Sequence, residues 1–157
     1  MQKGGADMLD VQLDVRHMFV ESFTSVTEKI AGFPLRCCAE KKDFKIGQIV
    51  KIRAEGVFRA SLYISMEETF EDAVYNGMTK GKVLPPDMHD LYVGEYINII
   101  SGHALTNINN MMGQTSRLTV PVVGISEKND SEEYKKQCTL YFEAPCGNMK
   151  MDISYND

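Results

Sequence analysis

The sequence predicts a single α+β domain built on a mainly antiparallel sheet, with a long helix and the order α-βββ-αα-βββ. Three observations carry this expectation. Segments with two-residue apolar alternation follow one another in groups and do not alternate singly with helices. Tight turns at Glu55-Gly56 and at Ala144-Pro145-Cys146-Gly147 join neighbouring runs as hairpins. The longest helical pattern lies between the two strand groups.

Each element has its own signal. Residues 1–10 are polar and glycine-containing, and are expected to be a flexible N-terminus ahead of one domain over 11–157. Helical periodicity begins near Val15 and continues through Met18, Phe19, Phe23, Val26 and Ile30, with Gly32-Phe33-Pro34 as the stop. Leu35 to Ala39 is the first strand. Val50, Ile52 and Ala54 form the second, and Phe58, Ala60, Leu62 and Ile64 the third, each alternating with polar neighbours. Ser65 then reads as an N-cap, with Glu67 and Glu68 in the first turn of a helix ending near Asn76-Gly77. After the loop Thr79 to Leu84, a helix of about 40 Å runs from Pro85-Pro86 to Met112-Gly113. Leu118 to Val123 is a strand, and Ser126 to Lys136 a charged loop. In the last hairpin Cys138, Leu140 and Phe142 are answered by Met149, Met151, Ile153 and Tyr155.

Composition narrows the function. A chain of 157 residues with 43% hydrophobic and 25% charged residues can bury a sizeable core. Its net charge of −5, with no basic block, argues against nucleic acid and anionic membrane as partners. No run approaches the roughly 20 apolar residues of a membrane span, and the N-terminus lacks a signal-peptide pattern, so a cytoplasmic location is expected. The four cysteines form no Cys-x-x-Cys pair and have no histidine at ligand spacing, so reduced thiols and no metal site are expected. There is no glycine-rich phosphate loop, which removes nucleotide binding.

The candidate site lies on the long helix, in Gly94-Glu95-Tyr96-Ile97-Asn98-Ile99-Ile100-Ser101-Gly102-His103-Ala104. At about 100° per residue from Glu95, the residues Ile97, Ile100, Ala104, Ile108 and Met111 form a core stripe between about 140° and 220°. Asn98, Gly102, Thr106 and Asn109 fall within about 60° of Glu95, on the opposite side. A carboxylate and a carboxamide therefore share an exposed face with a glycine that permits close approach of another backbone. Asparagine and glycine are poor interior helix residues, with glycine costing about 1 kcal/mol relative to alanine, so this face is not chosen for helix stability.

Other groups read more plainly. His17, His89 and His103 are scattered surface residues, and Ser101 and Thr106 lack an adjacent base. Glu67-Glu68 and Glu71-Asp72 read as helix N-terminal charge and solvated surface. The ten methionines are expected to pack core or interface.

The Gly94–Ala104 stretch resembles the Glu-x-x-Asn signature helix of the CheX/CheC/FliY chemotaxis phosphatases, and CheX most closely. The resemblance includes the strand-to-helix junction from Gly56 to Glu68 and the run Leu118-Thr119-Val120-Pro121-Val122-Val123-Gly124. From Val15 onward the chain fits one CheX-like domain. The resemblance implies a phosphatase acting on the phosphoaspartate of a CheY-like receiver domain, with Asn98 orienting the attacking water and Glu95 pairing with the receiver's lysine. It also implies a homodimer and no cofactor of the chain's own, the Mg²⁺ being supplied by the receiver. The first helix offers no Glu-x-x-Asn, so one site is expected. Gly102 would admit the partner's backbone. Tyr96 stands where the family has an aliphatic residue, and at about 100° on the map it is expected at the surface, available to a partner. The other reading of the same resemblance is a non-catalytic adaptor that binds a receiver.

Overall fold

The structure, a computed structural model, describes residues 4–126, 128 and 134–156, with side chains from Val15 onward. Helix α1 spans Gly4–Ala31, and strands β1 (Arg36–Cys38), β2 (Gln48–Gly56) and β3 (Arg59–Met66) follow. Helices α2 (Glu68–Thr79) and α3 (Met88–Met112) come next. Strands β4 (Ser116–Leu118), β5 (Val122–Ile125), β6 (Lys136–Ala144) and β7 (Gly147–Asn156) complete the chain. All strand pairings are antiparallel, in the order β1-β6-β7-β3-β2-β4, with β5 beside β4 along the same edge of β2. The expected α+β class and antiparallel sheet are therefore present.

The core lies between the sheet and the helices. Val15, Phe19, Phe23 and Val26 of α1 and the Ile97, Ile100, Ala104 and Ile108 stripe of α3 are buried. They belong to one cluster with Val50, Ile52, Leu62, Ile64, Leu140, Phe142, Met151 and Ile153 of the sheet. The hairpin β6–β7 closes with Ala144 opposite Gly147, as its alternation requires.

Four local expectations change. The helix α1 begins at Gly4, well before Val15, because no proline interrupts the segment and its two glycines fall in the first turn. Ser65 is not an N-cap: β3 continues to Met66, which pairs with both Gln48 and Met149, and α2 starts at Glu68. Gly77 does not end α2, which continues to Thr79. A Cβ at Gly77 would lie 1.9 Å from the Ala31 carbonyl oxygen, so this glycine exists for the contact of α2 with the end of α1. The single strand expected over Leu118 to Val123 is broken into β4 and β5. Pro121 has no N–H to give the ladder, and Thr119 is the last residue before it to bond with β2, through Thr119 N–H to the Arg53 carbonyl at 2.8 Å. Most of the expected charged loop Ser126 to Lys136 lies outside the described residues.

Candidate functional site

Helix α3 is held along its length before it offers anything to a partner. Its buried stripe faces the core, Gly113 ends it in the left-handed region at φ 70°, and the Gly113 N–H donates to the Asn109 carbonyl. Asn109 Nδ2 donates to the Ser116 carbonyl at 3.1 Å, tying the last turns to β4. On this fixed helix Glu95 is exposed and Asn98 is half-buried, one turn apart. Among the described residues neither side chain has a hydrogen-bond or ion-pair partner.

The break between β4 and β5 supplies a second wall. Leu118, Thr119, Val120, Pro121 and Val123 stand opposite Asp90, Leu91, Gly94, Glu95 and Asn98 across an open groove of about 380 Å³. Leu91 and Val120 are 62% and 83% exposed, so the groove carries apolar rims around two carboxylates and one amide. Gly94 sets its width. A Cβ there would meet Val123 Cγ2 at 3.1 Å and Pro121 Cγ at 3.8 Å.

One expectation is corrected on this helix. Tyr96 is fully buried and is not a partner contact. It lies between the helices, with its ring 6.3 Å from that of Phe70, and its hydroxyl shares a hydrogen bond of 2.6 Å with Thr27 Oγ1 of α1. Burial holds the phenol well above its usual titration range. Of the two glycines in this stretch, Gly94 is the one packed closely within the chain. Gly102 has only Leu118 Cδ1 at 3.9 Å from a notional Cβ, so its outer side is open. His103 is exposed as expected, with Nδ1 2.8 Å from the Ser22 hydroxyl, and that contact ties α3 to α1.

A second cluster was not foreseen. Glu71 is only 3% exposed, although Glu71-Asp72 reads as solvated surface. Gln48 Nε2 donates to Glu71 Oε1 and, at 3.0 Å, to Asp90 Oδ1. His89 places Nε2 at 3.1 Å from Asp72 Oδ1 and Nδ1 at 3.3 Å from Asp90 Oδ1. Burial pushes the Glu71 carboxyl up to about 7, opposed by the Gln48 hydrogen bond and the nearby His89. The only signal in the sequence is that 71, 89 and 90 are ligand-type residues, and their spacing gives no reason to group them.

No protein-family model matches the chain, and no curated protein does. Solved structures do. The chain has the fold of a class of chemotaxis proteins, and it shares that fold with CheX structures over most of their length. A CheX structure from Desulfovibrio desulfuricans matches at a TM-score of 0.71 and 19% identity, over 90% of this chain and 99% of that one. CheX from Vibrio vulnificus matches at 0.70 and 22%, over 90% and 96%. A CheX–CheY–BeF₃–Mg²⁺ complex from Borrelia burgdorferi contains a chain matching at 0.68 and 16%, over 90% and 97%. At these identities the likeness defines the fold. No helix among the described residues is long and apolar enough to cross a membrane.

Proposed function

We propose that the chain hydrolyses the phosphoaspartate of a receiver domain docked in the α3 groove. The observation that carries this reading is the pair Glu95 and Asn98, unpartnered on one face of a rigid helix and lining an open groove. A structural asparagine of this helix, such as Asn109, spends its amide on a backbone group. Asn98 keeps its amide for an incoming group.

The proposed chemistry asks little of this chain. An aspartyl phosphate has a carboxylate leaving group, which needs no general acid. Charge neutralisation at the phosphoryl group is the receiver's part, through its own lysine and the Mg²⁺ it would supply. What remains is to hold a water in line, and a carboxamide does so at any ordinary pH: its carbonyl accepts from the water while its NH₂ donates elsewhere. Glu95 pairs with a cation of the partner and orients the complex. Leu91 and Val120 add apolar contact at the rims, and Gly102 leaves room further along the helix. That a CheX of the same fold has been crystallised with CheY supports the partner class. The family resemblance further implies a homodimer, and sedimentation that returns the 17.7 kDa monomer mass at micromolar concentration would remove that part.

The test is the decay of phosphorylated receivers from the same genome, with and without the chain. Asn98→Ala should slow the stimulated decay roughly 10- to 100-fold, or about 1.4–2.8 kcal/mol of transition-state stabilisation. Receiver binding with no acceleration by the unmodified chain would overturn the enzymatic reading and leave an adaptor.

A further inference from the structure

We propose that Glu71, His89 and Asp90 form a binding site for a divalent transition-metal ion of the zinc class, with Asp72 orienting the imidazole from behind. One ligand atom from each of the three residues lies within 4.8 Å of the others. Two ligands on a tetrahedral ion with bonds of about 2.1 Å stand about 3.4 Å apart. The 3.3 Å between His89 Nδ1 and Asp90 Oδ1 already matches that separation. The remaining closure falls to Asp90, whose exposed side chain would turn toward Glu71 while keeping its contacts with Gln48 and His89.

Three features distinguish this cluster from a patch of surface acids. First, Glu71 is almost wholly buried yet has no lysine or arginine partner among the described residues. A buried carboxylate without a counter-charge is costly, and a cation relieves it. Second, both nitrogens of His89 face carboxylate oxygens. A neutral imidazole donates through one nitrogen only. Donation from Nε2 to Asp72 leaves the Nδ1 lone pair directed at the side of Asp90, which is the carboxylate–histidine–metal arrangement of natural sites. Third, Gln48 donates to Glu71 and Asp90 together and holds the two carboxylates side by side.

The donor set selects the ion. An imidazole with two carboxylates suits Zn²⁺, Co²⁺ or Ni²⁺, whereas Mg²⁺ and Ca²⁺ prefer all-oxygen shells. Water would complete the tetrahedron. The site joins α2 to α3 at the start of α3. Asp90 precedes Asn98 by eight residues, about 12 Å along the helix axis. Asp90 also lines the groove, so the ion would sit at the end of the groove away from Asn98, and the proposal stands whether or not the groove is a phosphatase site.

Co²⁺ titrated into the full reduced chain tests it by optical spectroscopy, with Zn²⁺ displacement and calorimetry for affinity. The expected result is one equivalent, visible ligand-field bands with no thiolate charge-transfer band, and displacement by Zn²⁺. His89→Ala and Glu71→Gln should weaken Zn²⁺ binding at least tenfold. Asp72→Asn, an exposed substitution that leaves the packing intact, should weaken it by roughly tenfold as loss of the orienting partner. A thiolate band places the ion on the cysteines and overturns the proposal. So does absence of binding, or equal affinity in the chain and in Asp72→Asn should the other two variants fail to fold by circular dichroism.

Discussion

Tyr96→Phe separates a core role from a partner-contact role at the residue between Glu95 and Asn98. The phenol is fully buried and its hydroxyl lies 2.6 Å from the equally buried Thr27 Oγ1. Removing the hydroxyl loses one buried hydrogen bond and strands the Thr27 hydroxyl, a combined cost of about 1–3 kcal/mol. For a chain of this length that corresponds to a fall in melting temperature of roughly 2–4 °C per kcal/mol. Thr27→Val should cost a similar amount for the mirror-image reason. The double variant, with both polar groups replaced by apolar ones of like shape, should recover about 1–2 kcal/mol of the summed loss. Urea denaturation of the four proteins measures this coupling, and receiver dephosphorylation is compared at equal folded fraction. Unchanged stability in Tyr96→Phe, or slowed dephosphorylation by the folded variant, would refute the placement of Tyr96 in the core contact between α1 and α3.

The other predictions concern packing, pH and the groove. Gly77→Ala should destabilise by about 3 kcal/mol or more, since its methyl must displace the Ala31 carbonyl from 1.9 Å; thermal denaturation checks it. Glu71 has a folded-state pKa raised from 4.5 to about 7, so the folded form retains a proton that the unfolded form releases. Stability should therefore fall as pH rises from about 4.5 to 7, by up to about 3 kcal/mol. In the presence of chelator, Glu71→Gln should flatten that part of the pH–stability curve, and parallel curves for the two proteins would show that Glu71 is not its source. Gly94→Leu forces a branched chain against Val123 and across the groove, so receiver binding should weaken at least tenfold in a titration, at a stability cost of about 1–3 kcal/mol that thermal denaturation reads separately.

The helical period made the placement of Glu95 and Asn98 legible, because a stripe of Ile97, Ile100, Ala104 and Ile108 leaves only one direction for residues opposite it. The same map misplaced Tyr96, since it assumes one buried face. Helix α3 is buried against the sheet on one side and against α1 and α2 on another, and Thr27, the partner of Tyr96, lies 69 residues away. Glu71 was misread for a related reason. Position in the first turns of α2 suggests solvated charge, but burial is decided by Gln48 of β2 and by His89 and Asp90 of α3. Gly77 carried an ambiguous signal: a glycine near a helix end reads as a stop, and only the approach of Ala31 shows that it is a contact. The broken strand was partly legible, because Pro121 cannot donate to a central ladder. What no local pattern shows is that the break faces Asn98.

That juxtaposition is what raises Asn98 above the other asparagines of α3. Asn107 is half-buried like Asn98 and Asn110 is exposed, but neither is among the residues lining the groove. Asn109 is committed to the Ser116 carbonyl. Asn98 alone stands where the strand has left its ladder, across from Thr119 and Pro121, with Glu95 one turn away and Gly94 keeping the opposite wall close. The rims of that groove expose Leu91 and Val120, two large apolar side chains that gain nothing from water and that a partner surface would cover. A groove with apolar rims, acidic groups at Asp90 and Glu95 and one uncommitted amide suits a protein surface presenting a cation beside its reacting group. It suits a small apolar ligand poorly, because such a ligand would leave the Glu95 carboxylate unanswered.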